Sequence, residues 1–156
     1  MIPAADQGPW PEPLTMNRFA ALEAYARELV GTSASVDVGA DAYGGPVIRI
    51  TPHRAGARAV NFVADQWIVC EVESSGGGRW ELDYDSTGAA FAHNALKAVV
   101  AGRVEERVAF GRSQLTLTFQ DGSTHTETGV NGCLAALTPQ PGWRRWGELR
   151  GARPYA

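Results

Sequence analysis

The sequence predicts an α+β fold with one antiparallel sheet: a helix, a five-strand meander, a second helix and three further strands. Three observations carry this. Two segments have helical period and each is followed by a glycine. The runs between and after them are short, have period two and are joined by turn residues. Helices and strands are segregated in the chain, which favours antiparallel pairing over βαβ units. A length of 156 residues with 44% hydrophobic and 20% charged residues is one domain's worth of core.

Residues 1–13 (MIPAADQGPWPEP) read as a proline-rich arm extended over the domain, with Trp10 its one aromatic. Thr15 is suited to cap a helix over Met16–Val30, whose apolar positions Phe19, Leu22, Ala26 and Leu29 form one stripe. Gly31 stands where such a helix ends. Ala34, Val36 and Val38 then alternate with polar neighbours, and Ala42-Tyr43-Gly44-Gly45 supplies a turn. Val47–Thr51 is a second strand, closed by Pro52 and the Arg54-Ala55-Gly56 loop. Ala59–Ala64 is a third, with Asp65-Gln66 as its turn. Trp67–Glu73 and Arg79–Tyr84 make the fourth and fifth, joined through Ser74-Ser75-Gly76-Gly77-Gly78.

Asp85, Ser86 or Thr87 caps a second helix running to about Ala101, with Phe91, Ala95, Leu96, Val99 and Val100 on its apolar side and Gly102 closing it. Val104, Glu106, Val108 and Phe110 alternate, as do Leu115, Leu117 and Phe119. Asp121-Gly122 is a hairpin turn that lets Ser123–Thr128 pair back. Residues 14–156 thus form one α+β domain, ending in an Arg/Trp-rich tail from about 139 to 156. One helix is expected to cover one face of the sheet and leave the other for solvent or a partner.

Composition excludes several classes. No run approaches the ~18 apolar residues of a membrane helix. The first 13 residues hold Asp6 and Glu12, no cation before Arg18 and no apolar core, so no Sec-type signal is read and a cytoplasmic address is expected. Cys70 and Cys133 give neither a disulfide framework nor a metal spacing. A net charge of −3 argues against general nucleic-acid binding. Arginine supplies every cation except Lys97, a usage that points to a GC-rich bacterial genome.

The search for chemistry finds no cofactor or metal motif. His53, His93 and His125 lack HxH, HExxH or CxxC partners. There is no GxSxG elbow. Gly76-Gly77-Gly78 joins two strands, whereas a phosphate cradle leads from a strand into a helix, so it reads as hairpin geometry. Cys70 falls on the apolar side of its strand and reads as a buried, inert thiol. Cys133 has no identifiable base and reads as structural, His93 as a solvated helix position, and His125 as an exposed strand residue.

One constellation stands out. Period two places Trp67, Val69, Glu71 and Glu73 on one side of the fourth strand, and Glu81, Asp83 and Asp85 on one side of the fifth. If the apolar faces align, five carboxylates gather on one face of this hairpin. Asp65–Asp85 holds six acids against Arg79 alone. Three readings compete. The face is solvated and partly neutralised by arginines such as Arg49 or Arg58. Alternatively it docks a basic protein, with clustered charge speeding encounter and selecting the partner. In the third reading it holds a catalytic or metal-binding carboxylate pair. The tail is its opposite pole: Trp143-Arg144-Arg145-Trp146, then Arg150 and Arg153 against Glu148. Aromatic-interleaved cations can stack on bases. The plainer reading packs Trp143 and Trp146 on the sheet and leaves the arginines to acids or solvent.

The segments Trp67-Ile-Val-Cys-Glu-Val-Glu and Trp80-Glu-Leu-Asp-Tyr-Asp, within this order of elements, resemble small bacterial immunity proteins encoded beside polymorphic or secreted toxins. That resemblance implies a non-enzymatic antitoxin that covers a cognate toxin's active site with an acidic face. The organisation also resembles small α+β secretion chaperones of actinobacteria, which implies binding to an extended segment or helix of a client. The expectation carried forward is docking through Glu71, Glu73, Glu81, Asp83 and Asp85, with Trp67 as aromatic anchor, onto a cognate protein such as a basic toxin domain. The alternative is a small enzyme or ligand binder with a pocket between sheet and helix, using His93, His125 or Cys133. A homodimer that buries the sheet also stays open.

Overall fold

In the computed structural model the described residues are 13–156, so the expected arm lies outside them except for its last residue. The elements are α1 (Pro13–Val30), β1 (Ala34–Ala40), β2 (Pro46–Pro52), β3 (Val60–Ala64), β4 (Ile68–Val72), β5 (Arg79–Leu82), α2 (Ser86–Val100), β6 (Val104–Ala109), β7 (Arg112–Thr118), β8 (Thr124–Val130), α3 (Cys133–Leu137), α4 (Trp143–Trp146) and β9 (Glu148–Gly151). The α+β class, the N-terminal helix, the five-strand meander and the helix before the last strands are all present.

The expected single sheet is two. Strands β1-β2-β3-β4-β5 pair in chain order, all antiparallel, and β8-β7-β6-β9 form a second antiparallel sheet. Period two shows that a strand has an apolar side but not which strand lies beside it; α2 separates two sheets and is not an insertion in one. The tail contributes β9, which pairs with β6 from Glu105↔Gly151 to Val108↔Glu148.

Local chemistry explains the helix ends. α1 begins two residues before Thr15, with Pro13 in its first turn, where a missing N–H leaves no intrahelical bond unmade. Gly31 closes it with φ 51°, a conformation open to glycine without steric cost. At α2 the carboxylate of Asp85 accepts from the Gly88 N–H at 2.8 Å.

The core lies between the inner face of the first sheet and the two long helices, and continues onto the second sheet. Ile48, Ile50, Val60, Phe62, Ile68 and Cys70 supply the first layer, Phe19, Leu22, Ala26, Ala92, Leu96 and Val99 the helical one, and Val104, Leu115, Leu117 and Phe119 the last. Ile48, Ile50, Phe62 and Leu96 are wholly inaccessible, each worth about 1.5–3 kcal/mol of burial.

The triple-glycine loop does more than turn the chain. Gly76 and Gly78 have φ of 142° and 81°, as a tight turn requires. The loop also lies against the second sheet so closely that a Cβ on Gly129 would sit 1.7 Å from the Gly76 carbonyl oxygen, and one on Gly77 2.9 Å from the Glu127 carbonyl oxygen. Bare backbone is what lets the two sheets meet here.

Candidate functional site

Sheet register places the predicted acids. One cross-strand row on the side away from the core runs Asp37, Arg49, Asn61, Glu71, Arg79 through all five strands. The neighbouring row runs Gly39, Val47, Val63, Val69, Glu81. Val69 takes the parity expected of it, yet both it and Val47 are buried on this side. Trp67, just before β4, is 43% exposed. Glu73, Glu81, Asp83 and Asp85 are exposed and Glu71 half-buried.

The acids are not left as one uncompensated patch. Arg79 reaches Glu71 at 2.8 Å and Glu81 at 3.4 Å, forming a surface bridge between neighbouring strands. The neutraliser is therefore Arg79 of the hairpin itself. Arg58, one of the two cations proposed for that role, is directed into the interior, and Arg49 stands two strands away from Glu71 in the shared row. Glu73 turns back to accept from the Ala59 N–H at 3.1 Å. Asp85 caps α2. Tyr84 donates to the Asp65 carbonyl at 2.6 Å and fastens the turn beneath Trp67; burial first, then the Asp65 charge, raise its phenol above the ordinary value.

Glu71, Glu73 and Arg79 do converge. With Asn61, Ala59 and the glycine loop they line an open cleft of about 420 Å³ on the first sheet. Within it Arg79 is paired with Glu71, and the Glu73 carboxylate accepts from the Ala59 N–H. Asp83 and Asp85 lie beyond β5 and do not line it.

Sequence reasoning missed a buried polar cluster at the junction of the sheets. Glu106 is 1% exposed. Its Oε1 accepts from Ser113 Oγ and from the Ser75 N–H, both at 2.6 Å, and its Oε2 accepts from Arg58 at 2.8 Å. Ser113 Oγ in turn accepts from the Gly77 N–H at 3.2 Å. Burial pushes the Glu106 carboxyl upward, but the bonds from Ser113, Ser75 and Arg58 outweigh it and hold the group below the usual carboxylate range. The available signal was an acid on the apolar parity of β6, between Val104 and Val108. This cluster ties the triple-glycine loop and Arg58 to the second sheet, and every carboxylate oxygen has a donor.

The residues of the alternative reading are not assembled. His93 is no free helix position: its ring stacks on Tyr25 at 4.1 Å, and burial, then Lys97, lower its pKa. His125 is half-buried, 4.2 Å from the Phe119 ring and 5.0 Å from Phe91. Cys133 is exposed on α3, and Cys70 is buried with its thiol pushed up to about 12, chiefly by desolvation. A second cleft of about 320 Å³, lined by Asn94, Phe119, Gln120 and Asp121, contains none of the three. Among the described residues no cluster of three or more His, Cys, Asp or Glu has metal-holding geometry. Nor is any helix among them long and apolar enough to cross a membrane.

The tail departs from expectation in one respect. Trp143 is buried, with Arg144 stacked 5.4 Å over its ring, but Trp146 is 60% exposed. Phe110, Leu134, Leu137 and Leu149 are also exposed, around the β6–β7 turn, where Ala135 packs on Gly111 and Gln140 bonds the Phe110 carbonyl. Exposed apolar side chains on one hairpin tip are a contact surface in many proteins. No protein-family model matches this chain, and no curated protein or solved structure matches it.

Proposed function

We propose that this chain is a protein-binding module of the immunity type, inhibiting a cognate toxin through the side of the β4–β5 hairpin that faces away from the core. One observation carries the reading: Glu71 and Glu73 share an open cleft with Arg79 at one end of the hairpin, while Trp67 stands exposed at the other end of β4. A cationic side chain of the partner enters between the carboxylates, and Trp67 anchors the opposite end of the hairpin. Exposed Glu81 and Asp83 extend the negative field and accelerate encounter with a basic surface. The partner is a folded, basic protein domain. Binding this way needs no cofactor.

The test is affinity capture from source-cell lysate with the wild-type chain beside a Glu71→Lys/Asp83→Lys variant. A single protein retained by wild type, toxic when expressed alone and silenced by co-expression, is the expected outcome. The variant is expected to bind it more weakly by about 2 kcal/mol, roughly 30-fold, where the charge pairs are desolvated. Equal affinity of the two forms sinks the acidic face. Turnover of a small substrate by the isolated chain, lost on His93→Ala or His125→Ala, would replace binding by catalysis.

A further inference from the structure

We propose that β8 is a dimerisation edge, on which a second copy of this chain adds its own β8 antiparallel across a two-fold axis through Thr126. This goes beyond the toxin-binding reading and concerns the other sheet. β8 has β7 on one side and, among the described residues, no strand on the other. The narrow pairs Asn131 N–H to Gly111 C=O at 2.7 Å and Phe119 N–H to Ser123 C=O at 2.8 Å bracket the β7–β8 ladder. Alternation between those ends turns the backbone groups of His125, Glu127 and Gly129 toward β7, and those of Thr124, Thr126, Thr128 and Val130 outward. Among the described residues, nothing hydrogen-bonds those outward groups.

Natural sheets blunt their edges with short strands, lysine, proline or bulges. β5 and β9 are four residues each, whereas β8 has seven, runs in unbroken register with β7, and contains no lysine or proline. Its inner side is fixed by the contact of Gly129 with Gly76.

The strand is complementary to itself. Outward groups meet outward groups for any axis that passes through a residue, but an axis at His125 or Glu127 sets that residue against its own copy, like against like. An axis at Thr126 pairs Thr126 with its copy, Thr124 with the partner's Thr128, and His125 with the partner's Glu127. An imidazole thus faces a carboxylate twice. On the opposite side of the sheet, the threonine row that already links Thr116 to Thr126 at 3.0 Å continues into the partner. Cross-strand Thr–Thr and opposite-charge pairs are both stabilising. An axis at Thr128 sets Glu127 against Gly129 instead. β1, the other seven-residue edge, holds no cation to set against Asp37.

The test is register-specific cross-linking of the full chain in a Cys133→Ser background. In a hydrogen-bonded pair the two Thr126 Cα atoms stand about 5.5 Å apart, inside the disulfide range. The two Thr124 Cα atoms stand about 14 Å apart, four residues out of step and one strand spacing across. Mild oxidation is expected to give a covalent dimer from Thr126→Cys, and at least tenfold less from Thr124→Cys. Sedimentation of the unmodified chain is expected to show a concentration-dependent dimer. Thr126→Pro, which removes an outward donor and spares the β7 ladder, should abolish that dimer while the circular dichroism stays native. Glu127→His should weaken it at least fivefold. Equal cross-linking at both positions, or a monomer at all concentrations, overturns the proposal; a monomer that captures an extended peptide on β8 assigns the edge to another occupant.

Discussion

Replacing Glu106 by alanine tests the account of how the two sheets are joined. The carboxylate receives hydrogen bonds from Ser113, Ser75 and Arg58. Removing one member of a buried charge pair costs about 3–5 kcal/mol, largely because the other charge is stranded. Here Arg58 is 15% exposed and keeps a bond to the Glu73 carbonyl at 3.0 Å, so the cost falls at the low end, about 3 kcal/mol. For a domain of this size that lowers Tm by about 6–12 °C. Glu106→Gln keeps the shape and the acceptor toward Ser113 and Ser75 but sets an amide or a neutral oxygen against Arg58, for a loss of about 2 kcal/mol. Urea unfolding with an unchanged m-value measures both. The sign with pH is fixed by the lowered pKa. The stabilisation is complete above the ordinary value of 4.5 and disappears as pH falls through the lower folded value. The gap between wild type and Glu106→Gln should therefore be constant from pH 7 to 5 and close in stronger acid. A Glu106→Ala cost under about 1 kcal/mol would refute the cluster as the junction.

Other predictions follow from the same geometry. Gly129→Ala drives a Cβ into the Gly76 carbonyl and should cost about 3 kcal/mol in chemical unfolding, whereas Gly122→Ala meets open space and should cost only the ~1 kcal/mol of its positive φ. A thiol reagent should label Cys133 in the native protein and reach buried Cys70 only on unfolding; rapid native labelling of both would contradict the core. His93 has a lowered pKa, so the unfolded chain binds the extra proton and stability falls as pH drops below 6.5. His93→Phe should flatten that decline, and an unchanged slope would assign it elsewhere. Leu134→Ser/Leu137→Ser should leave stability within about 0.5 kcal/mol, because both side chains are already in solvent.

What the sequence determined by itself was local. The stripe of Phe19, Leu22 and Ala26, a cap within Asp85–Thr87, the stops at Gly31 and Gly102, and the turns at Asp65-Gln66 and Asp121-Gly122 depend on neighbours within one helical turn or one hairpin, and each appears where its chemistry requires; packing decided that Asp85 is the cap and that Val30 is buried where Leu29 is only partly so. Hairpin register likewise put Glu71 and Glu81 on one side of the first sheet, and burial of Cys70 followed from its parity. Tertiary structure decided the rest. Strand pairing across α2 depends on loop closure and packing between distant segments, so a second sheet and the β9 edge could not be read from period two. Glu106 has the parity of a core residue but the chemistry of a surface one. Only the arrival of Arg58, Ser75 and Ser113 from other elements resolves that conflict in favour of burial. Arg79 lay in view as the hairpin's one cation, but its position between two acids is a property of paired strands. The triple glycine shows the division best: its turn conformation is local, while the need for bare backbone at Gly77 comes from a sheet that begins more than 20 residues later.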